Sequence, residues 1–502
     1  MPLADAPPLP PPMVQAAPVE LRLSTEQVAV SDKDSMGLSG LHYLRPVGSH
    51  GFGGVSVFGA TQGDRGGFFA WGLSGGYRLR EGPWQAEAGL FVGGGGGSPG
   101  WVGGGLMLRP HLAASYAWGP LGLGLGLSQV WFPNGRVRSS QPYATLSWAS
   151  EAWFGPAGGA PASTRAQGDV QVLAAETSAV VGQYSMRGHS VRRDGQGDAP
   201  DLRYGGLALR RVWSGRESSG ATAAQAYWLL SAAGGLSHAY TGYAELLGGI
   251  GVHYPLPVEW PLALRAEAAL GSGGAGSAAD TGGGLLAKVS AGLSWQINRN
   301  LGLTAAVGRV ASRGPFDPSE ARLELVYRGW DGVPGRPSSS APSPEPSPGA
   351  LAWAPWDLSA GWLQFGRMPR LDGGEPGLGV AALKLARELD PNWRLVGQAA
   401  IATNGGAGGY AAGQLGLGWL TARSADTAWR LGGELSVGAA GGGGVKVDGG
   451  LVGQAQLQAR YALSAQWAVQ ADAGWLRSRQ GSVSTPLFGL SAVYSFSRLQ
   501  GS

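Results

Sequence analysis

Along most of this chain apolar residues alternate with small or polar ones at a period of two. From Val102 to Trp118, Leu106, Leu108, Leu112, Ala114, Tyr116 and Trp118 fall on one side. Gly103, Gly105, Arg109, His111, Ala113 and Ser115 fall on the other. Such alternation predicts a β-strand with one apolar face, because a helix would mix the two sets. The next strand is cleaner, with Leu121, Leu123, Leu125 and Leu127 set against Gly122, Gly124, Gly126 and Ser128. Leu285, Ala287, Val289, Ala291, Leu293 and Trp295 repeat the pattern against Lys288 and Ser290. So do Leu451, Ala455, Leu457, Ala459 and Tyr461 against Gln454, Gln456, Gln458 and Arg460.

The alternation belongs to a strand–loop–strand unit that occurs three times, beginning at Trp84, Leu264 and Arg430, with Glu87, Glu267 and Glu434 at equivalent places. Pro-rich stretches separate the copies. The predicted organisation is a Pro-rich extension over 1–18, a first β-repeat over 19–154 and a linker over 155–168. A second repeat follows over 169–330, a Pro/Ser-rich linker over 331–350, and a third repeat over 351–497. Each repeat holds about eight strands of about 9–12 residues, the length that crosses a bilayer when tilted, giving about 24 in all.

Connections alternate between tight turns (REGPW, AWGPLG, INRNLG, LDPNW) and longer loops such as GGGGGSPGWVGGG and MRGHSVRRDGQGDAP. Aromatics gather on the tight-turn side: Trp84, Trp260 and Trp429 begin corresponding strands, and Trp118, Trp295 and Tyr461 end the strands that follow. This is the pattern of a membrane-interface girdle. The predicted fold class is all-β, an antiparallel transmembrane β-barrel built from the three repeats. A single barrel of about 24 strands is slightly preferred over three tandem eight-stranded barrels, since a well-formed terminal strand occurs only at the C-terminus. The Pro-rich linkers and the small inward residues argue for the tandem alternative.

Composition sharpens this. Gly is 90 of 502 residues and Trp is 20, while charged residues are only 14%, well below a soluble globular protein. No apolar run approaches the length of a membrane helix. A soluble sandwich array would share the alternation but needs charged outer faces, which these strands lack. The chain has no Cys, which excludes disulfides and thiolate metal sites. The net charge of +4 is scattered, so no nucleic-acid surface is expected. The start, MPLADAPPLPPPMVQ, has neither a basic nor an apolar leader segment; a signal peptide is expected to have been removed.

The last strand, LFGLSAVYSF, places Phe488, Leu490, Ala492, Tyr494 and Phe496 on one face and ends on an aromatic. It resembles the C-terminal assembly signal of Gram-negative outer-membrane β-barrel proteins, with Tyr494 and Phe496 at its end. Six residues (SRLQGS) follow, a departure from the usual terminal position. The resemblance is at superfamily level only. It implies residence in the cell outer membrane, with the lipid bilayer and, during biogenesis, the barrel-assembly machinery as partners. Periplasmic or other envelope proteins are further candidate partners.

The lumen-facing candidates are Glu87, Arg109, His111, Glu267, Lys288, Glu434, Gln454 and Gln456. Glu87 is expected to pair with Arg109 and Glu267 with Lys288, while Glu434 meets Gln454 and finds water or Arg460. These groups are expected to form either a charged constriction or plain ion pairs within a wall. No cofactor is implied: the Gly tracts do not open helices as phosphate loops do, and the metal-ligand spacings are absent. The six His show no recurring spacing to Ser or carboxylate, so no enzyme is expected. His189 with Arg187, Arg192 and Arg193 reads as a solvated outer loop. The functional expectation is a wide pore passing a bulky, weakly charged polymer such as a polysaccharide or polypeptide. The alternative is a non-conducting outer-membrane anchor that docks envelope proteins.

Overall fold

The computed structural model describes residues 13–501 apart from 32–33, 98, 158–164, 189, 193–196, 214–223, 275–277, 336–350 and 424–426. Most of the Pro-rich extension, much of both linkers, His189 and Arg193 therefore lie outside the described residues.

Each repeat closes on itself. The first barrel comprises β2 (Ala16–Ala29), β3 (Ser35–Val47), β4 (Gly51–Gln62), β5 (Phe69–Glu81), β6 (Trp84–Gly96), β7 (Leu106–Trp118), β8 (Leu121–Trp131) and β9 (Arg138–Trp153). β2 pairs with β9 from Ala16↔Trp153 to Glu26↔Tyr143, sealing the ring. The second comprises β11 (Val170–Ser185), β12 (Leu202–Val212), β13 (Gln225–Gly235), β14 (Ala244–Pro255), β15 (Leu262–Gly274), β16 (Leu285–Gln296), β17 (Leu301–Ser312) and β18 (Ser319–Pro334). Here β11 pairs with β18 along its whole length. The third comprises β19 (Ala352–Phe365), β20 (Leu378–Glu388), β21 (Trp393–Ala402), β22 (Ala411–Leu420), β23 (Trp429–Gly441), β24 (Leu451–Ala462), β25 (Trp467–Ser478) and β26 (Ser484–Gly501). β26 pairs with both β25 and β19, closing that ring. Outside the rings, β1 (Met13–Val14) pairs in parallel with β10 (Arg165–Ala166).

The preferred single large barrel is thus corrected to three closed eight-stranded ones. Every barrel strand finds both its neighbours within its own repeat, so no full strand edge remains to merge with the next. The lone terminal signal misled because a chain holding three barrels still has only one C-terminal strand.

The barrels touch one another in a closed cycle. The third strand of each meets the fifth strand of the next: β4 with β15, β13 with β23, and β21 with β6. That is a head-to-tail contact that closes after three copies, as in a cyclic trimer, here within one chain. Glycine permits the approach. A Cβ added to Gly94 would lie 2.5 Å from the Ala402 carbonyl, and one on Gly242 would lie 2.6 Å from the Gly442 nitrogen. Gly66 N–H donates to Gly282 O at 3.1 Å, Gly408 N–H to Gly103 O at 2.8 Å, and Ser272 Oγ to Ala60 O at 2.7 Å.

At the tight-turn end the closing strands converge instead. Gly155 and Ser497 exchange backbone hydrogen bonds of 2.8 and 3.1 Å, and β26 pairs with β18 at Trp330↔Gly501 and Asp331↔Gln500. Residues 497–501 are therefore no overhang: they continue β26 and tie all three barrels together.

Outward positions carry the apolar face. Leu125 is 72% exposed, Leu435 68% and Leu457 73%. Trp84, Trp118, Trp260, Trp295, Trp429 and Tyr461 are all exposed at the tight-turn end. Trp84 meets Tyr116, and Trp429 meets Tyr461, with ring centroids 5.0 Å apart in each case. No helix among the described residues is long and apolar enough to cross a membrane. An apolar band on closed antiparallel barrels, edged by Trp and Tyr, is a lipid-facing surface. The chain is a β-barrel protein of the kind that crosses a membrane with strands.

Candidate functional site

Inward side chains fill each lumen, and the fill has two layers. From the tight turns upward runs an ionic layer, which in the second barrel reaches the loop ends of the strands at Glu245, Lys288 and Glu320. In the first barrel Glu87 accepts from Arg22 at 2.9 Å and Arg78 at 3.0 Å, and Glu20 bridges the same two guanidiniums at 2.8 Å each. Arg109 donates to Glu26 at 2.7 Å, and Ser128 and Gln141 also donate to that carboxylate. Three carboxylates thus meet three guanidiniums.

The second barrel is denser. Glu267 accepts from Arg210 and Arg322 at 2.6 Å each, and both cations also hold Glu324. Lys288 lies between Glu320 at 2.8 Å and Glu245 at 3.1 Å, with Arg322 also on Glu320. Tyr184 and Tyr243 donate to Glu245 at 2.8 and 2.7 Å, and Tyr204 donates to Glu320. Arg265 and Arg328 hold Glu176 at 2.8 and 2.7 Å. Tyr227 donates to Glu267 at 2.9 Å, and it and Tyr204 each need a glycine opposite. Tyr204 is in register with Gly182 and Tyr227 with Gly251, where an added Cβ would fall 2.4 and 2.5 Å from the respective rings.

In the third barrel Asp357 accepts from Arg460 at 2.6 Å and Arg394 at 2.9 Å. Lys384 stands 3.4 Å from Glu434 and 3.6 Å from Asp472, and Gln458 donates to Glu434 at 2.7 Å. Arg430 lies 3.7 Å from Glu388. Opposite charges are matched in every lumen. That matching is what burial demands, since an unpartnered ion in a low-dielectric interior is strongly unfavourable.

Above the ionic layer, toward the loops, each lumen turns apolar. Val28, Leu38, Phe58, Phe91, Met107, Val130 and Phe132 close the first barrel. A cluster around Tyr184, Leu202, Tyr240, Leu286 and Phe316 closes the second, and one around Phe365, Met368, Leu378, Val447 and Leu476 closes the third. Loops help to cap them. Arg370 donates to Gly405 O at 2.7 Å beneath the third barrel's loops, and burial there pulls its guanidinium below the usual range. Two small voids lie among the ion pairs. A cavity among Tyr204, Arg210, Glu267, Lys288 and Glu324 offers about 30 Å³, room for about two waters, and one among Arg22, His42, Arg109 and His111 about 10 Å³.

Glu87, Arg109, His111, Glu267, Lys288, Glu434, Gln454 and Gln456 all point into lumens, but their expected pairings are corrected. Glu87 is in register with Ala113, not Arg109, and its partners Arg22 and Arg78 come from other strands, with His111 Nε2 at 3.5 Å. Lys288 binds Glu245 and Glu320 rather than Glu267. Glu434 sits opposite Gln456 in register and uses Lys384 and Gln458; Arg460 goes to Asp357, and Gln454 donates to Gln456 at 3.0 Å. Arg78 is the register neighbour of Glu87 on β5, the strand on its other side; the other partners show that in a narrow barrel long side chains also reach across the lumen, as Arg22 does from β2 and Lys384 from β20. The three repeat glutamates also line three lumens, not one. Tyr494 packs against Trp467 with centroids 5.0 Å apart, whereas Phe496 is 8% exposed against Phe154 and so does not face lipid.

Sequence spacing gave no Ser–His relation, yet folding brings one about. Ser24 Oγ lies 2.9 Å from His42 Nε2, and Ser56 Oγ lies 2.7 Å from Nδ1. The ring is flanked by two hydroxyls without a carboxylate, beside a void of about 10 Å³, so it has neither the orienting acid nor the substrate space of a nucleophilic site.

No protein-family model matches the chain, and no curated protein does. Among solved structures, the siderophore receptor PirA from Acinetobacter baumannii aligns at 9% identity over 96% of this chain and 81% of its own, with a TM-score of 0.28. A variant of the ferric enterobactin receptor PfeA from Pseudomonas aeruginosa aligns at 11% identity over 96% and 81%, with a TM-score of 0.29. The copper transporter OprC aligns at 11% over 97% and 81%, with a TM-score of 0.28. At such scores nothing of those proteins' ligands or transport carries over to this chain.

Proposed function

We propose that the chain is an integral protein of the outer membrane that acts as a non-conducting anchor, three barrels welded into one rigid cluster. The observation that carries this reading is the double closure of every lumen: an ionic layer with matched charges under an apolar plug. Neither layer leaves room for a polymer, so the wide pore expected from the sequence is not retained. In this reading the tight turns face the periplasm with the linkers between barrels, and the longer loops face outward. The linkers and loops are the surfaces on which other envelope proteins would dock. The barrel-assembly machinery remains the proposed route of insertion, acting on β26. The lumens are structural rather than catalytic.

A solute-flux assay tests the proposal. Proteoliposomes carrying the folded chain should swell in isotonic arabinose no faster than empty liposomes. Swelling that rises with the protein-to-lipid ratio would refute a closed anchor.

A further inference from the structure

At the tight-turn end, where the three barrels converge, charge accumulates on outward-facing positions that the lumens do not use. Tyr43 and Arg45 come from β3 of the first barrel, Arg211 from β12 of the second, and Arg498 from β26 of the third. Arg45 lies over the Phe154 ring, and Phe154 meets Phe496, two residues before Arg498, with centroids 5.7 Å apart. One carboxylate, that of Asp331, serves two of the three cations, Arg211 and Arg498. Asp331 stands 3.9 Å from Arg211 Nε and 3.5 Å from Arg498, and its other oxygen already accepts from Gln500 at 2.8 Å. Arg45 is held 3.6 Å over the Phe154 ring, which orients it without neutralising it. Arg211 Nε is buried and makes no hydrogen bond.

This arrangement differs from the lumens, where every charge is matched. Here positive charge is left over beside the lipid-facing belt. Tyr43, Val47 and Leu209, on the same two strands, are exposed apolar side chains that an acyl chain could cover.

We infer that this junction binds the headgroup phosphate of an anionic phospholipid, gripped by Arg45, Arg211 and Arg498 with its acyl chains on the outer faces of β3 and β12. Guanidiniums fork onto phosphate oxygens, and at the level of the interface they reach it without leaving the apolar surface. The site needs all three barrels, since each supplies one arginine. The inference depends on the membrane reading but not on closed lumens, so failure of either leaves the other standing.

The test uses the full chain in nanodiscs of phosphatidylcholine doped with phosphatidylglycerol, followed by native mass spectrometry after transfer to detergent. The wild-type chain should retain phosphatidylglycerol in preference to phosphatidylcholine, with retention falling about fivefold for each arginine replaced by Gln. Asp331→Asn removes the local counter-charge and should raise retention, which keeps the inference testable if the triple variant fails to fold. Equal retention by wild type and Arg498→Gln, or a fall in Asp331→Asn, would overturn it. So would full displacement of the lipid by millimolar inorganic phosphate, which would mark a free-ion site.

Discussion

Glu87→Ala should destabilise the first barrel by about 3–5 kcal/mol, the usual cost of stripping a partner from a buried ionic cluster. The substitution leaves Arg22 and Arg78, whose side chains are each 8% exposed, sharing only Glu20. His111 also loses its nearest carboxylate. Urea unfolding of the chain folded into lipid vesicles measures the effect. Glu81→Ala, on an exposed position at the end of β5, is the control and should stay within about 0.5 kcal/mol. A loss equally small for Glu87→Ala would mean that the lumen is wet enough to solvate the stranded guanidiniums.

The second large effect lies on the opposite face of the wall. Leu125→Arg should cost about 2–4 kcal/mol in insertion, because Leu125 is 72% exposed midway along β8 and would place a cation in hydrocarbon. Its neighbour Gly124 fails for another reason. A Cβ there would fall 2.6 Å from Thr145 Oγ1 and 3.0 Å from Ser115 Cβ, so even Ser is crowded. Leu125→Phe should therefore be accepted and Gly124→Phe rejected, size mattering inside and polarity outside. Folding yields from urea into lipid vesicles, read by heat-modifiable gel mobility, separate the two. Equal tolerance of Phe at both positions would contradict a filled lumen.

Much of the wall was legible from period-two alternation, because each strand must present one face to lipid and the other to the interior. The inward direction of Glu87, Lys288 and Gln454 follows from that parity alone. What lay beyond it was closure and pairing. Alternation is local, whereas closure depends on which strand ends meet: β2 finds β9, and β11 finds β18, through contacts between residues far apart in the chain. The glutamate partners were misassigned for the same reason, since adjacency in the sheet does not decide who meets across a lumen.

One signal was present and went unread. Near the loops the inward positions themselves become apolar, at Val28, Leu38, Phe58, Phe91 and Met107, so both faces of those strand ends are hydrophobic. That is the mark of a plug, and it argues against a channel. The small inward residues argued for a tight barrel, and the structure gives the physical reason: Gly182 and Gly251 are small because Tyr204 and Tyr227 lie over them. The continuation of β26 beyond Phe496 depends on distant partners, β19 in its own barrel and β18 and Gly155 in the other two, which local alternation does not reveal.

Three separate, closed lumens are the core of this account, and single-channel recording in planar bilayers tests them most directly. The folded chain should show no current steps above the leak of the bare bilayer, and replacing Glu87, Glu267 and Glu434 together with Gln should open none of large conductance. Stable large steps in the wild-type chain, with an ion selectivity that shifts cumulatively as those three glutamates are replaced, would show a shared open lumen and contradict it.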